Sequence, residues 1–180
     1  MIHSTRLFGY SSRVFDAYIE KLRSGQVLES AEIRSAVEGL TSENVPTETK
    51  AAFLTAFARK GETTGEIVAF AECLRSKSIV PPLDPETRRR EILDVCGTGG
   101  DRLNTINIST TVSIIVAGAG VSVAKHGNRA ITSQSGSADV LEELGVLVDA
   151  SPEEAAASLR NHHFAFFFAP KFHPAFRHMA

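Results

Sequence analysis

The stretch Asp94-Val-Cys-Gly-Thr-Gly-Gly-Asp101, with Asn107-Ile-Ser-Thr110 a few residues on, decides how this chain is read. Ile92-Leu-Asp-Val95 has the character of a buried strand, and Gly97, Gly99 and Gly100 form a turn at its end. Without a Cβ, such a turn lets backbone N–H groups approach an anion closely. Asn107 suits the cap of a following helix, Ser109 to Gly118, whose free N–H groups and positive dipole end also favour an anion. Ser109 and Thr110 add hydroxyls that suit phosphate or an oxygen-rich Mg2+ shell. Asp101 is odd beside an anion; it suits a ribose hydroxyl, a metal-bound water or a role in fixing the loop. The pattern points to a polyanionic, phosphorylated ligand, although each piece alone favours a plain glycine turn with a routine helix cap.

A second segment, Lys125-His-Gly-Asn-Arg-Ala130, reads as a loop that supplies cations. Lys125 offers a point charge and Arg129 a planar fork matched to phosphate. His126 and Asn128 offer directional hydrogen bonds, Gly127 permits close approach, and Thr132-Ser-Gln-Ser-Gly-Ser137 adds small donors before another helix start. Either cation alone reads as a solvated surface charge. Two phosphate-type loops on neighbouring strand ends are harder to explain that way. No general base stands out, since a loop histidine such as His126 more often bonds or packs, and His162 and His163 fall at a helix end.

Outward from these loops, the period of the apolar residues divides the chain. Residues 11–76 read as four short helices: one from Ser11 or Ser12 stopped by Gly25, one after Ser30, one over Thr47 to Arg59, and one capped by Thr63 or Thr64. Pro81, Pro82 and Pro85, followed by Arg88-Arg-Arg90, mark residues 77–91 as a linker. From Ile92 on, strands expected at Ile92–Val95, Val121–Ala124, Val146–Val148 and Phe164–Phe168 alternate with helices at Ser109–Gly118, Ala138–Leu144 and Pro152–Asn161. The expected fold class is α/β with an N-terminal all-α subdomain: a helical domain over 1–76, then over 92–180 the first part of a mainly parallel sheet flanked by helices. In such sheets ligands bind at the carboxyl ends of strands, where both loops fall.

Composition narrows the classes further. The chain has 180 residues, 43% hydrophobic and 22% charged, with a net charge of −2, so its overall field does not favour nucleic acid or an anionic membrane. The N-terminus lacks an apolar signal core, and the apolar run from Val112 to Ala124 is too short and interrupted to cross a bilayer. Cys73 and Cys96 lie far apart without metal spacing, which fits a reduced, cytoplasmic setting.

Together, Gly97-Thr-Gly-Gly-Asp101, Asn107-Ile-Ser-Thr110, Lys125-His-Gly-Asn-Arg-Ala130 and Ser135-Gly-Ser-Ala-Asp-Val-Leu141 resemble the phosphoribosyl-diphosphate site of the anthranilate phosphoribosyltransferase family. Ala51–Thr63 resembles its N-terminal helical domain and Phe168–Ala175 the start of its acceptor region. The resemblance implies transfer of a phosphoribosyl group from phosphoribosyl diphosphate to anthranilate in tryptophan biosynthesis, with Mg2+ as cofactor and a homodimer through the N-terminal helices. It implies contacts to phosphoribosyl diphosphate from Gly97, Gly100, Asp101, Thr105, Asn107, Ile108, Ser109 and Thr110. Further contacts would come from Lys125, His126, Gly127, Asn128, Arg129, Ala130, Ile131, Thr132, Ser133 and Ser137. Ser109 would help hold Mg2+; Lys125 and Asp101 would stand closest to catalysis; Gly97, Asn128 and His173 would meet anthranilate.

Arg102 stands where many members carry glycine, and Phe176 where some carry a tyrosine. The chain is also about half the family's usual span, and the family's later anthranilate-binding arginine and metal-binding Asp-Glu pair are not in it. The expectation is therefore an incomplete α/β domain, inactive alone, with exposed apolar surface that includes Phe164 to Phe168. Two other readings stay open: a non-catalytic binding or dimerisation module, and a pyrimidine nucleoside phosphorylase-like enzyme, whose second loop differs from Lys125–Arg129.

Overall fold

The computed structural model describes residues 12–96, 106–130 and 135–179. The chain divides into two compact units, which meet in sequence at Ser78 and Ile79, with the residues from Ala175 on returning to the first.

The first unit holds helices α1 (Ser12–Arg23), α2 (Ser30–Leu40), α3 (Thr47–Lys60) and α4 (Thr64–Ser76). Residues three and four apart put Phe15, Ile19 and Leu22 on one face of α1, and Ile33, Val37 and Leu40 on one face of α2. They close one core with Phe53 and Phe57 of α3, where Phe15 meets Phe53 edge-on at 5.4 Å between ring centroids. Gly25 and Gly61 end α1 and α3 with φ of 76° and 83°, backbone angles that favour glycine. The cap of α2 is Glu29 rather than Ser30, with the Glu29 N–H donating to Glu32 Oε2 at 2.7 Å. Ile67 and Val68 of α4 are exposed, whereas Glu66 beside them is buried.

Glu66 explains that inversion. Its carboxylate accepts hydrogen bonds from Leu28 N–H (3.0 Å), Thr63 N–H (2.9 Å), Thr63 Oγ1 (2.8 Å) and Lys60 Nζ (2.8 Å). One side chain thus caps α4 and ties it to α3 and to the segment before α2. Burial alone would raise its pKa, but the bonds from Lys60, Leu28 and Thr63 outweigh that and lower it to about 2.

The second unit contains the expected parallel sheet. Strands β1 (Ile92–Leu93), β2 (Ser122–Gly127) and β3 (Phe164–Phe168) run parallel in that order. Successive side chains alternate between faces. Ala165 and Phe167 pack with Ala155 and Leu159 of α8 (Pro152–His162) and Phe172 of α9 (Ala169–Phe172). Phe164, Phe166 and Phe168 pack with Ala138 and Leu141 of α7 (Ser137–Glu143). Helix α6 (Ile108–Gly118) packs against β2 and β3.

Four expectations are corrected here. Residues 77–91 contain a short helix, α5 (Pro85–Arg89), because the Asp84 carboxylate accepts from the N–H groups of Glu86 and Thr87 while Pro85 presets the first turn. β1 is only two residues long and lies at an edge, with Leu93 39% exposed. Val146–Val148 is not a strand: Val146 and Val148 pack against the α7 side of the sheet without ladder bonds, so the alternation there reports burial and not pairing. Phe164 to Phe168 are covered or half-covered; the open apolar side chains of this unit are elsewhere, notably Ile108, Val112 and Ile115 of α6.

Candidate functional site

The second motif sits at the carboxyl end of β2, and it is not a simple loop. Lys125, His126 and Gly127 belong to β2 and pair with Phe166, Phe167 and Phe168. The pleat sends neighbours to opposite faces. Lys125 shares a face with Phe166 and α7, and His126 shares a face with Phe167 and the α8–α9 layer.

Lys125 is only 2% exposed. Its ammonium donates to the carbonyls of His126 (3.1 Å) and Val95 (3.4 Å). The sequence places this cation in a loop, whereas it stands on β2 with its charge in the interior, bonded to the Val95 carbonyl just before the glycine turn in sequence. The turn residues Gly97, Gly100, Asp101 and Thr105 lie outside the described residues, as do Ile131, Thr132 and Ser133 of the second segment.

His126 meets His173, just past α9, with ring centroids 5.1 Å apart and planes nearly perpendicular. Burial, then the charges of His173 and Lys125, push the His126 pKa below its usual 6.5, against an opposing pull from Asp94. Burial therefore favours the neutral form of His126. Its Nε2 is buried without a hydrogen-bond partner among the described residues.

Asn107 stands at the N-cap of α6, yet its side chain makes no cap bond; its Nδ2 donates to Ser135 O at 3.3 Å, joining the two motif segments. Ile108 begins the helix with its side chain 57% exposed, so only its backbone can serve an anion. Ser109 is half-buried, and Thr110 is fully buried with Oγ1 lacking a partner among the described residues.

The chain around Asn128–Ala130 is pinned to the start of α7. Ser137 Oγ donates to Asn128 O at 3.2 Å, as does the Ala138 N–H. Asp139 Oδ2 accepts from Gly136 N–H (2.7 Å) and Ala130 N–H (3.1 Å). Gly136 permits this crossing, because a Cβ there would fall 2.5 Å from Arg129 C and 2.8 Å from Asn128 O. Gly127 is similarly confined: an added Cβ would strike Ser137 Oγ and come within 2.9 Å of Phe166.

Arg129 is also engaged. Its Nη1 donates to Glu142 Oε2 (2.7 Å) and Asp139 Oδ1 (3.1 Å), and its Nη2 to Glu142 Oε1 (3.1 Å). Hydrogen bonds donated to Glu142 and then Asp139 hold the guanidinium's pKa above its already high ordinary value. The Asp139 pKa is lowered, chiefly by the Gly136 and Ala130 N–H groups, and that of Glu142 chiefly by Arg129. Neither carboxylate was assigned a role from sequence. The available signal was position: Asp139 is the third residue of α7, where carboxylates cap, and Glu142 follows three residues later on the same face.

A helical unit followed by a unit with a parallel sheet flanked by helices defines the class as a bipartite α/β protein. The comparison with known families makes that specific. Residues 16–78 match the helical bundle domain of the glycosyl transferase family and residues 89–180 match its a/b domain, so the chain belongs to that family.

An anthranilate phosphoribosyltransferase from Alkaliphilus metalliredigens is 44% identical over 162 residues, 90% of this chain and 47% of that protein. The solved anthranilate phosphoribosyltransferase of Thermus thermophilus is 40% identical with a TM-score of 0.79, covering 91% of this chain and 48% of its own. That of Saccharomyces cerevisiae, in complex with PRPP and Mg, is 27% identical with a TM-score of 0.79, covering 94% and 50%. The chain spans about half the length of the curated relatives it matches. Among the described residues no helix is long and apolar enough to cross a membrane.

Proposed function

We propose that this chain supplies the phosphoribosyl diphosphate-binding part of an anthranilate phosphoribosyltransferase of tryptophan biosynthesis. The amine of anthranilate would displace pyrophosphate from C1 of the ribose, giving N-(5-phosphoribosyl)anthranilate. The observation that carries the reading is the Lys125–Val95 contact: a buried ammonium joins the end of β2 to the root of the glycine turn, which brings the two phosphate-type segments to one end of one sheet.

The reaction needs no covalent nucleophile on the protein. It needs alignment of amine and C1, worth about 7–11 kcal/mol, and charge placed against the leaving pyrophosphate. Lys125, fixed and poorly hydrated, supplies that charge, together with the N-terminal amides of α6. Ser137, Arg129 and the Asn128–Ala130 backbone hold the phosphates. His126 and His173, on the other face, fit the aromatic acceptor, together with Asn128. The roles of Gly97, Gly100, Asp101, Thr105 and residues 131–133 rest on sequence resemblance.

Mg2+ fits the donor chemistry. Ser109 and Thr110 offer hydroxyl oxygens, and the unpartnered Thr110 Oγ1 fits a ligand-facing role. Among the described residues no group of three His, Cys, Asp or Glu could hold a metal. The ion would accordingly share its shell with Ser109, water and the ligand's phosphates, and would neutralise charge on the departing pyrophosphate. Exposed Ile67 and Val68 on α4 support a homodimer through the helical unit. Cys73 and Cys96, far apart in the sequence and without metal spacing, fit a cytoplasmic setting.

The test is calorimetric titration of the chain with phosphoribosyl diphosphate, with and without Mg2+. Binding is the readout because the chain spans half of its relatives. Magnesium-dependent saturable binding is expected, and a folded sample that binds nothing refutes the proposal.

A further inference from the structure

Arg129 is the natural phosphate fork of this site, yet both its prongs are occupied by carboxylates of α7. The two carboxylates are not equivalent. Asp139 is committed to the backbone, holding the N–H groups of Gly136 and Ala130 as well as Arg129. Among the described residues, the Glu142 carboxylate bonds only Arg129, at 2.7 and 3.1 Å. The pair lies at the surface, with side-chain exposures of 47% for Arg129 and 54% for Glu142. No burial locks it, and an exposed ion pair of this kind is weak.

We infer that Glu142 competes with the ligand's phosphates for Arg129, storing the guanidinium on α7 until an anion takes it, and so determines the affinity of the site. The inference rests on the phosphate-binding role proposed for Arg129 above. A phosphate group brings more charge and more acceptor oxygens to the same planar fork than a carboxylate does, so the exchange runs toward the ligand. The released Glu142 returns to water, where it is already half-exposed. Asp139 stays on its backbone donors throughout, which keeps Arg129 near the strand end while its other partner changes.

The inference predicts a gain of affinity on removing a charged residue from the site's edge. Phosphoribosyl diphosphate with Mg2+ is titrated into the wild-type chain, Glu142→Gln, Arg129→Met and the double variant, each checked for folding by circular dichroism. Glu142→Gln should bind about two- to five-fold more tightly, the range expected for release of an exposed pair, and the gain should vanish in the Arg129→Met background. Unchanged or weaker binding by Glu142→Gln overturns the inference while leaving the phosphate-binding proposal intact. A gain that persists without Arg129 also overturns it, since that would be a general charge effect. If the folded wild type does not bind, the proposal and the inference fail together.

Discussion

Replacement of Glu66 in the helical unit tests how far one buried carboxylate organises that unit. The Glu66 side chain is fully buried, and that of its partner Lys60 is 4% exposed. A carboxyl held at about 2 when folded, against an ordinary 4.5, corresponds to about 3 kcal/mol of stability at neutral pH. Because the folded pKa is the lower one, that stability is present above about pH 4.5 and is lost as the pH falls toward 2. Glu66→Ala removes the acceptor for Leu28 N–H and Thr63 N–H and leaves the Lys60 ammonium with Gly61 O, at 2.7 Å, as its hydrogen-bond partner among the described residues. A buried pair broken on one side costs about 3–5 kcal/mol, a large share of the roughly 5–15 kcal/mol that holds a typical domain. Glu66→Gln keeps one acceptor and should cost less, about 1.5–3 kcal/mol. The double variant Lys60→Met, Glu66→Leu should recover part of the loss, since no charge is left unpaired. The assay is urea unfolding followed by far-ultraviolet circular dichroism between pH 7 and pH 2.5. A Glu66→Gln variant whose stability falls with acid as steeply as the wild type's would refute this account of the low pKa.

Three further outcomes follow from the α/β unit. Gly136→Ala should lower the melting temperature, by about 1–3 kcal/mol of stability, and weaken phosphoribosyl diphosphate binding, because its Cβ meets only backbone; Gly118→Ala, with nothing within 4 Å, should do neither. His126 is held below its usual 6.5 by burial first and then by His173, so the folded state disfavours its protonation; stability should fall as pH drops below about 6.5, and His126→Gln should flatten that fall in unfolding experiments between pH 8 and 5.5. Thr110→Val removes a buried hydroxyl that has no partner among the described residues, so the melting temperature should hold or rise while affinity for phosphoribosyl diphosphate drops; a clear loss of stability would show that the hydroxyl is structural.

Much of this was open to reading from the chain, and the parts that were not share a cause. The four N-terminal helices, α8 and β3 follow from local signals: apolar spacing, Thr63 as a cap, Pro152 opening α8, and Gly25 and Gly61 as stops. Where the reading went astray, a local pattern had more than one tertiary outcome. The alternation of Val146–Val148 serves a covering segment as well as a strand. Ile67 and Val68 look like core but lie outside, because Glu66 takes the inward position with four hydrogen-bond donors around it. Asp139 and Glu142 passed unnoticed because their partners, Ala130, Gly136 and Arg129, become neighbours only when the chain doubles back onto α7.

The sequence by itself determined the four N-terminal helices, the alternation of helix and parallel strand that follows them and the likeness to a known family. All of these depend on residues close together along the chain. Strand register and long-range packing decided the rest. The one-residue step from Lys125 to His126 puts them on opposite faces of β2 because of the pleat. The resulting neighbours, the Val95 carbonyl for Lys125 and His173 for His126, lie 30 and 47 residues away. Charge type is written in the residue, but what a charge meets depends on which distant segment folding brings beside it.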